Sequence, residues 1–227
     1  MDPLLAALRG RLIVSVQAQP HEPLHGSAHM AAMARAVVEG GAAAVRCESP
    51  ADVAAIRAAV EVPLIGLWKR GETGVYITPE REHAQAVAAA GADMIAMDAT
   101  DRPRPVPFRE LVRFCHDELK RPVLADVSDL PEALAAAAAG ADAVAPTLSG
   151  YTGAGPAPRG PDWDLLAAML REVKVPVIME GRIWTPDEAA RALAMGAWAV
   201  VVGSAITRPQ LVTRRFSEAL PAPRGEA

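Results

Sequence analysis

VPVIMEGRIWTPDEAARALAMGAWAVVVGSAITRP, residues 175–209, holds two apolar runs separated by one Ala-rich, helix-period segment. The first run, Val175 to Met179, is β-branched and ends on a carboxylate and a glycine, Glu180-Gly181. Thr185-Pro186 then opens a helix with Asp187 and Glu188 in its first turn, where the helix dipole favours negative charge. Glycine is the usual stop, which puts the helix end near Gly196. The second run, Trp198 to Val202, is almost wholly apolar and ends on Gly203-Ser204. A strand with no polar face is buried on both sides, the condition of a parallel sheet or barrel. Glycine turns at the ends of neighbouring parallel strands, each followed by a helix start, present backbone N–H groups to an anion. After strands 7 and 8 of a (β/α)8 barrel that anion is usually a phosphate. The stretch is expected to grip the phosphate of a sugar phosphate.

Outward from this stretch, two punctuation marks recur. One is Gly-Ala after an Ala-rich helix, at Gly41-Ala42, Gly91-Ala92-Asp93, Gly140-Ala141-Asp142 and Gly196-Ala197. The other is a residue-Pro pair before an apolar run, at Val62-Pro63, Arg121-Pro122 and Val175-Pro176. Glycine belongs just past a helix and proline at the first residue of a strand. Together they mark seven strands, and Leu12 to Gln17 supplies another at the front. Helical segments are expected near 28–39, 51–59, 80–90, 108–119, 130–139, 161–172, 185–195 and 209–219. Strand alternating with helix throughout implies a parallel sheet. Eight regular units favour closure into a single-domain (β/α)8 TIM barrel over residues 1–227, against an open doubly wound sheet. The Gly/Pro-rich piece Ser149 to Pro161 is read as a loop, with a lid the favoured role, and the terminal PAPRGEA as a frayed tail.

Composition narrows the function classes. A net charge of −4 gives no electrostatic case for nucleic acid or an anionic membrane surface. No apolar run approaches bilayer length, and Asp2, Arg9 and Arg11 argue against a signal peptide. Cys47 and Cys115 make no disulfide framework, so the cytosol is the expected compartment. His21, His25 and His29 have metal-like spacing, but Pro20 and Pro23 break the segment, and no metal is expected. Cys47 has no histidine placed to activate it and is read as packing. Leu211, Val212 and Phe216 on the last helix are read as exposed, which makes a homodimer plausible.

Catalytic groups of a barrel gather where its strands end. The reading puts Gln17, Arg46, Lys69, Asp98, Asp126 and Glu180 at those ends, with Gly203-Ser204 closing the last strand. Alternation puts Lys69 with Ile65 and Leu67, Asp126 with Leu124, and Glu180 with Ile178, so all three can face the barrel mouth.

These residues carry a family resemblance. The segments LIVSVQAQPHEPLH, AVRCES, PLIGLWKR, VYITP, MIAMDAT, VLADVS, LSGYTG, VIMEGRIWTP and VVGSAITRP, in this order, resemble the N-acetylmannosamine-6-phosphate 2-epimerases from Leu12 to Phe216. The resemblance implies conversion of N-acetylmannosamine 6-phosphate to N-acetylglucosamine 6-phosphate in amino-sugar and sialic-acid breakdown, without a cofactor. It implies Lys69 and Glu180 as the catalytic pair, with Gln17, Arg46, Asp126, Tyr151 and Arg208 on the substrate. Gly181, Gly203 and Ser204 would hold the phosphate. The hydrogen on C2 of the open-chain sugar is acidified by the adjacent aldehyde, so inversion needs only proton removal and return. No strand–GxGxxG–helix unit is present to hold a nicotinamide. A lysine base needs its unprotonated form, and Arg46, rather than the outward Arg70, is the cation expected beside it. Glu180 is read either as the proton donor to the opposite face or as a neutral acid on the enediolate. Two rivals stay open: a Schiff-base aldolase using Lys69, and a non-catalytic phosphosugar-binding barrel.

Overall fold

The structure, a computed structural model, describes residues 2–71, 73–153 and 159–221. Eight strands, β1 (Leu12–Val16), β2 (Ala44–Glu48), β3 (Leu64–Leu67), β4 (Met94–Asp98), β5 (Val123–Asp126), β6 (Ala143–Ala145), β7 (Ile178–Glu180) and β8 (Ala199–Val202), form one sheet in the order β6-β5-β4-β3-β2-β1-β8-β7. Every pairing is parallel. The ring closes between β6 and β7, where Val144 bridges Val177 and its N–H donates to the Pro176 carbonyl at 3.0 Å. The helices are α1 (Pro3–Ala7), α2 (Ser27–Glu39), α3 (Pro50–Arg57), α4 (Arg81–Ala89), α5 (Phe108–Phe114), α6 (Leu130–Ala139), α7 (Trp163–Glu172), α8 (Pro186–Ala194), α9 (Ser204–Thr207) and α10 (Pro209–Ala219). This is the expected (β/α)8 TIM barrel.

The two punctuation marks meet in space. Proline at position 63 or 122 has no N–H, so the next residue is the first donor of its strand. The Leu64 N–H donates to the Asp93 carboxylate at 2.9 Å and the Val123 N–H to Asp142 at 2.8 Å. Each aspartate of a Gly-Ala-Asp turn thus caps the start of the strand that the X-Pro pair opens.

Inside the ring, Ile13, Ala44, Ile65, Met94, Leu124, Ala143, Ile178 and Ala199 pack as one buried cluster, with Leu5 of α1 and Leu8 at its C-cap closing the base. The Trp198 indole Nε1 donates to the Leu5 carbonyl at 2.7 Å and fixes that plug. Two residues further along β2, β5 and β7 the same inward face turns polar: Arg46, Asp126 and Glu180 stand there, while Leu67, Ala96, Ala145 and Val201 keep β3, β4, β6 and β8 apolar at that level. Side chains of the opposite parity, such as Val14, Val45, Cys47 and Ile95, pack outward against the helices.

Several expectations need correcting. The second strand runs past Arg46 to Glu48, and the third ends at Leu67, two residues short of Lys69. Helix α1 was not anticipated, and α9 is the helix start expected after Gly203 but was not placed as a separate element; both are too short for a periodic pattern to register. The segment expected as helix 108–119 changes to π geometry over Cys115–Leu119. On α10, Leu211 and Val212 are half-buried, because α10 packs back on α9; only Phe216, 73% exposed, is open as expected. Of the expected loop, residues 154–158 lie outside the described residues, as does the tail from 222 onward.

Gly66 in β3 offers a test of the packing between sheet and helix layer. A Cβ there would stand 2.5 Å from the Ala92 Cβ and 3.5 Å from that of Val87. Gly66→Ala is expected to lower stability by about 1–3 kcal/mol, the usual cost of overpacking. Urea unfolding should show it as a lower midpoint at unchanged slope; an unchanged midpoint would mean that β3 can shift outward freely.

Candidate active site

The polar layer above the core is built around one guanidinium. Arg46 lies in the middle of β2, only 1% exposed. Its Nη1 and Nη2 donate to the two carboxylate oxygens of Asp126 at 2.9 and 2.5 Å, a bidentate pair. Nη1 also donates to Glu180 from the end of β7. Thr147, just past β6, adds its hydroxyl to Asp126 at 2.6 Å. Burial works against the charge on Arg46, but Asp126 and Glu180 outweigh it and hold the group above its ordinary range. Burial pushes the Glu180 carboxyl up; Arg46 pulls it down, Asp126 pushes it up again, and the net shift is upward. Two carboxylates share one cation, so one of them is left able to keep a proton.

Lys69 approaches from the other side. Its Nζ donates to the Gln17 Oε1 at 2.7 Å and stands 3.1 Å from the Glu48 carboxylate. Gln17 in turn donates to the Ser15 hydroxyl at 2.9 Å. The charged neighbour is therefore an anion, not the expected Arg46, whose guanidinium is taken by Asp126 and Glu180. Arg70 stacks on Trp68, as its outward direction required. The chain beyond β3 folds back on itself through an antiparallel bridge between Lys69 and Ile77.

The third wall is a glycine turn and a helix start. Gly203 precedes α9, whose N-terminus has no side-chain cap, and Ser204 and Arg208 border the cavity with Gly181. The expected second helix start is not available. Thr185 and Glu188 close a capping box on α8, and Glu188 also accepts the Trp184 N–H at 2.7 Å. Arg208 is steadied by Glu22 at 3.2 Å. Arg182, which was not foreseen, donates to the Gly160 carbonyl at 2.8 Å and the Ser149 carbonyl at 2.6 Å, tying both ends of the 149–161 loop to β7. Its guanidinium lies over the ring of Tyr151, which is 62% exposed at the rim.

All ten expected residues except Asp126 line one open cavity of about 440 Å³, and Asp126 is held by Arg46 beneath it. Glu48, Arg182, Tyr76 and Thr147 were not foreseen. Glu48 was legible by parity, two residues beyond Arg46 on the same face; Thr147 is the first polar side chain after a strand whose end was not assigned. Among the described residues, three non-glycine residues with positive φ follow close on this end of the barrel: Ser49 at 66° just past β2, the buried Thr78 at 47°, and Arg182 at 55°, which borders the cavity. Such strain costs on the order of 1–3 kcal/mol each and gathers at functional sites. Cys47 does not see the mouth; it is buried against the helix layer, and burial pushes its thiol up to about 12. His29 Nδ1 lies 3.2 Å from the His25 carbonyl, a local contact.

The position of Glu180 has a consequence for stability. A carboxyl raised in the folded state contributes stability that is full below its ordinary 4.5 and lost as pH rises through the folded value. Glu180→Gln, which cannot ionise, should therefore gain on the wild type between pH 5 and 8 in urea midpoints. A gain that shrinks as pH rises would contradict a raised carboxyl.

Comparison with known proteins shows the family. The sequence profile of a family described as "Putative N-acetylmannosamine-6-phosphate epimerase" matches residues 30–222. A Thermosynechococcus vestitus protein named "Putative N-acetylmannosamine-6-phosphate 2-epimerase" is 49% identical over 221 residues, covering 96% of this chain and 97% of its own. A Cutibacterium acnes protein of the same name is 46% identical over 223 residues, with the same coverage. The solved N-acetylmannosamine-6-phosphate 2-epimerase of Clostridium perfringens superimposes with a TM-score of 0.93 at 42% identity, over 96% of this chain and 97% of that one. A profile that matches most of the chain, near-complete alignment with these relatives and the shared fold lead to one conclusion: the chain belongs to the N-acetylmannosamine-6-phosphate epimerase family.

Proposed function

We propose that this protein is a cofactor-independent isomerase that interconverts N-acetylmannosamine 6-phosphate and N-acetylglucosamine 6-phosphate by moving a proton at C2. The observation that carries the reading is one cavity bordered by an amine, a protonatable carboxyl and an uncapped glycine turn. Its volume suits one phosphosugar. The names of the relatives point to the same substrate.

In this reading the phosphate rests on Gly181, Gly203 and Ser204, with Arg208 supplying charge, and Tyr151 covers the rim. Gln17 and Arg46 orient the sugar and its acetamido group, and Asp126 holds Arg46 in place from beneath. The amine of Lys69 removes the C2 proton, which the C1 aldehyde acidifies, and an enediolate forms. Glu180, kept protonatable by burial and by Asp126, returns a proton to the opposite face. One proton leaves carbon and one arrives, so the redox state of the sugar is unchanged. The buried free thiols Cys47 and Cys115 fit a reducing compartment, and we place the enzyme in the cytosol. Among the described residues no helix is long and apolar enough to cross a membrane.

In heavy water the product should carry deuterium at C2; unlabelled product would refute proton exchange at that carbon. Lys69→Met and Glu180→Gln should each lower kcat by about 100-fold or more while substrate still binds. A variant at the wild-type rate would remove that residue from the chemistry. Borohydride with substrate should trap no adduct, whereas a Schiff-base aldolase would be trapped on Lys69.

The same reading includes a homodimer through α10. Phe216 and Leu220 are 73% and 70% exposed beside an apolar groove walled by Trp184, Ala205 and Val212. Such a face is usually covered in solution. Phe216→Glu should shift sedimentation from dimer to monomer; a wild type that already sediments as a monomer would end the dimer reading.

A further inference from the structure

Two segments of the family likeness, VYITP at 75–79 and MIAMDAT at 94–100, supply no group that the proposed reaction uses. In space they meet beside Lys69. Past the end of β3 the chain doubles back, with the Arg70 N–H donating to the Tyr76 carbonyl at 2.8 Å and the Thr78 N–H to the Trp68 carbonyl at 2.8 Å. The Thr78 hydroxyl accepts the Trp68 N–H at 3.1 Å and donates to the Ala96 carbonyl of β4 at 2.7 Å. One threonine hydroxyl therefore relays a backbone hydrogen bond between β4 and the residue immediately before Lys69. Asp98, at the end of β4, fastens the returning arm. Its N–H donates to the Ile77 carbonyl at 2.9 Å, and its carboxylate accepts the Tyr76 N–H at 3.1 Å. That carboxylate is itself held by the Thr100 hydroxyl at 2.7 Å and by Arg102 at 2.5 Å.

The backbone of Thr78 makes this arrangement hard to read as filler. A β-branched residue at φ 47° is a genuine outlier, and glycine would sit there without strain. Thr78 is fully buried, and both directions of its hydroxyl are used. The strain is tolerated at a position whose hydroxyl sets the path of the chain into Lys69.

We propose that Thr78 is a positioning residue for Lys69, with Asp98 as the second anchor of the same segment. The inference rests on the reading of Lys69 as the base. A base displaced by about 1 Å costs on the order of 100-fold in rate without weakening binding. Thr78→Val and Thr78→Gly should each lower kcat on N-acetylmannosamine 6-phosphate about 30-fold or more, with KM held within about twofold. Thr78→Ser, which keeps the hydroxyl, should restore kcat to within about threefold. Should Thr78→Val not fold, Thr78→Gly decides, since glycine relieves the backbone. Wild-type kcat in Thr78→Gly, or a rise in KM at unchanged kcat, overturns the proposal. Lys69→Met, measured alongside, separates the two readings. If it turns over normally, the base reading falls and takes the positioning role with it. If it is inactive while Thr78→Gly runs at full rate, only the positioning role falls.

Discussion

One cation shared by two buried carboxylates is the constraint on which the site depends. Arg46 reaches Asp126, 80 residues away, and Glu180, 134 residues away, and so ties β2, β5 and β7 together across the interior of the ring. Charges taken out of water are costly unless paired, and with two carboxylates to one cation one of the three charges is imperfectly compensated. Here that imbalance falls on Glu180, the member nearest the opening, whose side chain keeps 13% exposure against none for Asp126. A fully matched pair would have given a quieter barrel and a carboxyl less able to hold a proton. The stack below is wholly apolar, so the ion layer has no alternative partners beneath it.

The remaining parts of the mouth are held by supports that are themselves anchored. Glu22, from the loop after β1, holds Arg208; Arg182 gathers the loop after β6; the segment after β3 is fastened to β4. Loops on this side of the barrel are thus fixed by a mixture of ion pairs, side chain to backbone contacts and one short antiparallel bridge. The rigid ring supplies the positions, and these contacts hold the loops in register with it.

The fold was legible because its signals are redundant. Four Gly-Ala turns, three X-Pro starts and eight apolar runs agree, and the Asp93 and Asp142 caps show why the turn and start belong together. The inward face was legible too, since period-2 alternation carries Lys69, Asp126 and Glu180 to one side. What alternation cannot give is where a strand stops. Glu48 was passed over because the charge of Arg46 looked like an ending, although a charged residue can lie mid-strand when partners arrive from β5 and β7. The partner of Lys69 followed the same error. Thr78 and Arg182 were hidden for another reason: their roles depend on backbone angles that threonine and arginine rarely adopt, and residue type alone does not disclose them. The α8 start looked like an anion site because it follows the Gly181 turn, yet Thr185 and Glu188 consume the N–H groups an anion would need.

The pairing of β1 with β8 joins residue 12 to residue 200. A chain emerging from the ribosome therefore has no ring until nearly all of it has been made. Until then the growing sheet carries unpaired hydrogen-bonding borders and a greasy interior open to water, the kind of species that sticks to its neighbours. The α1 plug shares that delay, because its indole partner at 198 is synthesised late. Synthesis of this barrel thus has a long vulnerable interval built into its topology, one that strengthening the finished core would not shorten.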